Sequence, residues 1–322
     1  MKICFVVLAH HQPQVFQKLI RNISTREVDV VVHIDSAASI EPFRYSASNV
    51  HYMARRRRVR WASWSLTEVI IEGLAIALNF SDANYFIYLA GTDFPIRPNA
   101  ELMDLLRDSH GQNFLNYYPL VPGIWGHALV ARYRLNEIKS RFIDLRRPND
   151  VSAPAWRRLG GTLVSKIETT LNARCMPRNT RFTNLYSGSS RWCLNRETIE
   201  YIVDFYRSSE SRKLRRYLWS CANSDEIFVQ TAVLNSPLKN QCIGFDEAAA
   251  QDIFAGRQPP MPDEKRVYLH YIDWDPARED PAVMVERDLS MMRQSRKYFA
   301  CKFLDSQSLP VINMIESELL SG

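Results

Sequence analysis

Apolar positions follow two rhythms along the chain. Ile3–Ala9 is an unbroken apolar run of strand length, Val28–Ile34 is a β-branched run holding Asp29 and His33, and Tyr85–Leu89 is a third run. Runs of this length suit parallel strands covered on both faces. Between them the period changes: Val15, Phe16, Leu19 and Ile20 fall at helical spacing and predict a helix over 13–22. A short strand is expected near 50–53, followed by a basic run. An amphipathic helix is then expected from Ser65 to Asn79, with Ser65 as N-cap and Glu68 completing a capping box. The third strand breaks at Gly91-Thr92-Asp93-Phe94-Pro95.

Strand–helix alternation through residue 110 predicts an α/β fold with a mostly parallel sheet of nucleotide-binding character. Ligands of such sheets sit at the carboxyl ends of the strands, and His10, Asp35 and Asp93 all fall there. The second half is more mixed. Helices are expected at 133–142, 196–207, 209–219, 225–234, 281–293 and 309–319, and strands at 113–117, 190–194 and 267–272. Segments 144–160 and 174–184, rich in Arg, Pro and Asn, read as loops. With no internal repeat and no low-complexity linker, one compact unit is expected.

The composition, 46% hydrophobic and 24% charged over 322 residues, is that of an ordinary globular enzyme. A net charge of +6 suits nucleic acid, an anionic surface or a negatively charged small substrate. Nucleic acid is disfavoured, because the basic residues are not interleaved with aromatics in any recognised module. The six cysteines are scattered without metal-ligand spacing. No stretch approaches the length of a membrane span, so contact with a membrane would be peripheral, and no signal peptide is evident at the N-terminus. The expected location is the cytoplasm.

Glycine-rich phosphate loops are absent, as is a G-x-S-x-G elbow. The second strand ends in His33-Ile34-Asp35 with a single carboxylate, too few hard ligands to hold a dication well. Asp273-Trp274-Asp275 has the Asp-x-Asp spacing, but it reads as a turn before Pro276. If no metal neutralises a leaving diphosphate, cations must. Arg55–Arg58, Arg60, Arg266, His270 and Lys302 are available, and Lys302 is notable for its apolar neighbours. At Ser224-Asp225-Glu226 two carboxylates stand at a helix start. Ser224 and Asp225 read as caps, while the pattern leaves Glu226 open between a dipole partner and a base.

Several of these segments, taken in order, resemble the core-2/I-branching β-1,6-N-acetylglucosaminyltransferase family (glycosyltransferase family 14), which includes peptide O-xylosyltransferases. They are Leu8-Ala9-His10-His11, His33-Ile34-Asp35, Trp61-Ala62-Ser63-Trp64-Ser65, Tyr85–Arg97, Ser187–Arg196, Asp225-Glu226 and Phe299-Ala300-Cys301-Lys302-Phe303. Tyr85–Arg97 is the longest and most specific.

The resemblance implies a single GT-A-like domain over 1–322 with a Rossmann-like sheet. Residues 1–135 would form a nucleotide-sugar half and 136–322 an acceptor and catalytic half. It further implies an inverting transfer of N-acetylglucosamine or xylose from a UDP-sugar to a glycan or polysaccharide, with no metal or other cofactor. Asp35 would hold the uracil, Trp61 would pack on it, and His10 and Asp93 would line the nucleotide pocket. Glu226 would be the base, with Asp225 left as the cap. Lys302 would bind the diphosphate together with Arg266 or His270, and Gly188, Ser189, Trp192 and Asp225 would border the donor and acceptor. The alternative is a catalytically inactive binding protein on the same fold, against which Glu226 and Lys302 both stand.

Overall fold

The computed structural model describes residues 1–122, 127–145, 153–174, 184–259, 269–275, 277–279 and 281–321. The central sheet begins with β1 (Ile3–Ala9) and β2 (Val28–Ile34), every residue of which is buried. Both runs are therefore interior strands, Asp29 and His33 being buried along with their apolar neighbours. β3 (Val50–Tyr52) and β4 (Tyr85–Ala90) complete the parallel set. β5 (Phe94–Pro95), β6 (Tyr118–Pro119) and β7 (Tyr186–Ser187) are short. β8 (Cys193–Asn195) adds antiparallel to β4, giving the order β3-β2-β1-β4-β8. A smaller sheet joins β5 to β10 (Phe299–Cys301), which pairs in parallel with β9 (His270–Ile272). β6 and β7 form a two-stranded ribbon.

Two apolar clusters cover the sheet. One gathers residues of the helices Trp64–Phe80, Arg196–Arg207 and Phe228–Leu234; the other gathers those of Pro13–Ile23 and the C-terminal Leu309–Glu318. Phe299, Phe303 and Ile312 pack in the same cluster as Phe5 and Val30, so the end of the chain completes a core begun at its start. This layering is the expected α/β arrangement. Among the described residues no helix is long and apolar enough to cross a membrane.

Several elements differ from the pattern. The helix expected at Ser65 begins at Trp64 behind Ser63, and no side chain caps it locally. Instead Ser65 Oγ accepts from the Arg60 N–H at 2.9 Å, and Glu68 faces Arg57. The open first turn is satisfied from afar, the Ser65 N–H donating to the Glu137 carboxylate at 3.2 Å. Of the helix expected over 133–142 only a single turn, Asn136–Lys139, forms, and a separate short helix, His127–Ala131, precedes it. The expected loop 144–160 gives way to a helix, Ala155–Arg174. Gly160 and Gly161 are where that helix meets Phe142 and Ile143: a Cβ on either would lie 2.3 or 2.6 Å from those side chains. Only the end of the expected 267–272 strand falls in the described residues, as β9.

Candidate active site

Three strand ends meet on one side of the central sheet. At the end of β2 the Asp35 N–H donates to the Ala9 carbonyl at 2.9 Å, tying β2 to β1. The Asp35 carboxylate accepts from the Ala37 N–H at 2.7 Å and the Val59 N–H at 2.6 Å. It thus gathers the basic segment over the strand end. His33 helps, its Nε2 accepting from the Arg57 N–H at 3.0 Å, and burial lowers its pKa. Arg57 in turn meets Glu72 at 2.7 Å, so the arginine run is tethered rather than loose. His10 is exposed and stacks on His11 with ring centroids 3.9 Å apart. Trp61, exposed, stands at the rim of a cavity of about 470 Å³ shared with Arg58, Arg60, Arg141 and Phe142.

The turn after β4 is drawn against β1. A Cβ on Gly91 would lie 2.5 Å from that of Ala9, so only glycine allows this approach. Asp93 follows and is completely buried. Its carboxylate accepts from the Ala90 N–H at 2.8 Å and meets Arg191 in a fork, with contacts of 3.1 and 3.0 Å. Burial alone would raise the Asp93 pKa; the Arg191 charge and His270 outweigh it and hold the carboxyl at about 2. Arg191 keeps 22% of its side chain accessible while anchored at its other edge. It is therefore a fixed cation at the strand ends. Arg191 is not among the expected site residues: unlike Lys302 it has apolar neighbours on one side only, Trp192-Cys193-Leu194, and follows Ser189-Ser190.

His270 falls elsewhere than expected. It is fully buried, stacked on Phe299 at 5.1 Å, with Nε2 3.6 Å from Asp93. Burial lowers its pKa, so a neutral ring packs behind Asp93 instead of presenting a charge to a ligand. Arg266, the other expected partner, lies outside the described residues. Lys302 is partly exposed and pairs with Glu279 at 3.1 Å. It is held beside Asp93, because the Phe303 N–H donates to the Thr92 carbonyl at 2.9 Å.

The two adjacent carboxylates occupy a 3-10 turn, Ser224–Glu226, ahead of helix Phe228–Leu234. Neither Ser224 nor Asp225 caps that helix, contrary to expectation: its N-cap is Ile227, with no side-chain bond. Ser224 Oγ instead bonds Thr67 Oγ1 at 2.8 Å, fixing the turn to helix Trp64–Phe80. Asp225 is buried, and burial raises its pKa to about 6. Glu226 is half-buried; burial first, and then the Asp225 charge, raise its pKa to about 8. The charge of Arg191 acts on both in the opposite sense.

Gly188 and Ser189 support this turn. The Gly188 N–H donates to the Glu226 carbonyl at 2.9 Å, and a Cβ on Gly188 would lie 2.0 Å from the Asn116 carbonyl oxygen. The Ser189 N–H donates to Asn116 Oδ1 at 2.8 Å. Trp192, expected beside the substrate, is fully buried against Tyr88 and belongs to the core. Asp273 and Asp275 form the expected turn, in which Asp273 meets Arg278 at 2.6 Å and accepts from the Asp275 N–H. Among the described residues no group of His, Cys, Asp and Glu is placed to hold a metal ion.

A mostly parallel α/β sheet with an anchored arginine at its strand ends, close enough for its charge to act on the Asp225-Glu226 pair, has a site of the ligand-at-the-strand-ends class. Residues 3–294 match the Core-2/I-Branching enzyme family. The human beta-1,3-galactosyl-O-glycosyl-glycoprotein beta-1,6-N-acetylglucosaminyltransferase is 22% identical over 234 residues, which are 70% of this chain and 46% of that protein. Xylosyltransferase 1 of Rattus norvegicus is 21% identical over 328 residues, 99% of this chain and 35% of the relative. The chain thus spans less than half the length of these relatives. Among solved structures, S. aureus TarS aligns with a TM-score of 0.34 at 10% identity, over 80% of this chain and 43% of that one. The chain belongs to the Core-2/I-Branching enzyme family, a family of glycosyltransferases.

Proposed function

We propose that the chain transfers N-acetylglucosamine or xylose from a UDP-sugar to a hydroxyl of a glycan or polysaccharide, with inversion and without a divalent ion. The observation that carries this reading is Glu226, a half-buried carboxylate whose pKa is raised to about 8 beside Asp225 and close to the anchored Arg191. A general base works best with a pKa near the operating pH.

In the proposed reaction the acceptor hydroxyl oxygen attacks the anomeric carbon while Glu226 takes its proton. The bond from that carbon to the diphosphate oxygen breaks on the opposite face, and UDP leaves. Negative charge grows on the diphosphate, and fixed cations stabilise it most in the transition state. Lys302 is one such cation; its pairing with the exposed Glu279 is of the kind that contributes little and exchanges readily. Arg191 takes the place proposed from sequence for His270. Asp35, with both carboxylate oxygens already accepting backbone N–H groups, is poorly suited to hold a metal and well suited to shape a nucleoside pocket with Trp61.

The test is UDP binding by calorimetry in EDTA, together with transfer and UDP-sugar hydrolysis by wild type and Glu226→Gln. The expected result is metal-free binding by both proteins and turnover by wild type alone. A requirement for Mn²⁺ would overturn the metal-free part. Full activity in Glu226→Gln would remove Glu226 as the base. UDP binding without turnover by the wild type on any UDP-sugar would favour the inactive binding protein.

A further inference from the structure

Helix Ala155–Arg174 carries an apolar stripe on its outer side. Trp156, Leu159, Leu163 and Ile167 are 60%, 71%, 61% and 45% exposed. Their spacing of three or four residues places them along one line of the helix surface. The helix is attached by a different face: Gly161, Val164 and Glu168 are the positions turned inward. Scattered exposed apolar residues are ordinary, whereas four aligned on one helix call for an occupant.

Charge indicates which occupant. Arg158 and Lys166 are exposed on the same helix, while Arg157 stacks over the Trp156 ring at 5.3 Å and borders the cavity beside Trp61. None of the ion pairs among the described residues involves Arg158 or Lys166. The helix's acid at Glu168 is turned into the protein, where it meets Lys139 at 2.9 Å and accepts from the Leu135 N–H at 2.9 Å. The exposed residues of the helix therefore combine Trp, Leu and Ile with cations and include no carboxylate. A second copy of the chain docked on this face would bring like charges together. An anionic lipid surface satisfies both parts, taking the apolar stripe into the acyl boundary and the cations at the headgroups.

We infer that helix Ala155–Arg174 docks the protein onto anionic membrane surfaces, lying in the interface without spanning it. The experiment is cosedimentation of the 322-residue chain with phosphatidylcholine vesicles, with and without phosphatidylglycerol. Variants are Leu159→Ser/Leu163→Ser/Ile167→Ser and Arg158→Glu/Lys166→Glu, with circular dichroism as the check on folding. Wild type should bind the anionic vesicles about thirtyfold more tightly than the neutral ones, from the two cations Arg158 and Lys166 at about 1 kcal/mol each. Salt should weaken that preference. The apolar variant should lose binding while folded, and the charge-reversed variant should lose the preference for phosphatidylglycerol. The inference is overturned if wild type binds neither vesicle, if it binds both equally, or if the folded apolar variant binds as wild type does. It is also overturned if light scattering shows a wild-type dimer that the apolar variant dissolves, since the stripe would then serve a second copy.

Discussion

Asp225 and Glu226 titrate as a pair, with apparent pKa values of about 6 and about 8. Burial raises both, and the first charge formed opposes the second. Removing the Asp225 charge leaves the burial of Glu226 in place and lowers its pKa. In Asp225→Asn the rising limb of kcat/KM against pH should therefore move to lower pH by roughly one unit. If Glu226 is the base and its neighbour tunes it, a pH–rate profile with UDP-sugar and acceptor will show the shift; an unmoved limb would separate the two residues. Asp93 is the opposite case. Its buried carboxyl stays ionised because Arg191 is fixed in a fork against it, and the same fork immobilises the arginine. One ion pair thus makes a buried anion tolerable and a partly exposed cation stationary.

At the scale of elements, the site depends on how closely short segments approach. β7 runs into Gly188, which lies against Asn116 and anchors the Glu226 backbone. Gly188→Ala would place its Cβ 2.0 Å from a backbone oxygen that no side-chain movement can relieve. Overpacking of this kind is expected to cost about 1–3 kcal/mol of stability. It should also lower kcat more than it raises KM, since the nucleotide strand ends are untouched. Urea unfolding and steady-state kinetics on the one variant check both. The helices show why some boundaries were hard to read. Ser65 and Glu68 carry the residue types of a capping box, yet Ser65 is engaged by Arg60 and Glu68 by Arg57. Glu137, 72 residues further along, supplies the acceptor instead.

At the scale of the molecule, the ends of the chain are interlocked. β8 closes the edge of β4, and β10 with helix Leu309–Glu318 completes the apolar cluster that covers β1 and β2. The two functional halves expected from the sequence, divided near residue 135, therefore share one core. Residues 1–135 expressed alone should fail to fold, because β4 would keep β1 but lose β8 and be left as an open edge, and the cluster would lose Phe299, Phe303 and Ile312. Dispersed amide resonances from that fragment would show that the first half is independent.

What the sequence determined by itself is the set of interior strands, the positions at their carboxyl ends, and the Asp225-Glu226 pair. Unbroken apolar runs and strand-to-turn breaks are local signals, and a parallel strand needs no knowledge of its neighbours to read as one. The sequence also carried the family, through ordered segments that need only be matched. The tertiary structure decided which of the charged residues meet. Arg191 reaches Asp93 across 98 positions, His270 withdraws behind it, and Trp192 turns into the core. It also decided that Glu226 is half-buried and its pKa raised, and that residues 155–160 are helix rather than loop. The physical reason is common to all of these: solvation and pairing depend on distance in space, which a pattern of types along the chain does not contain.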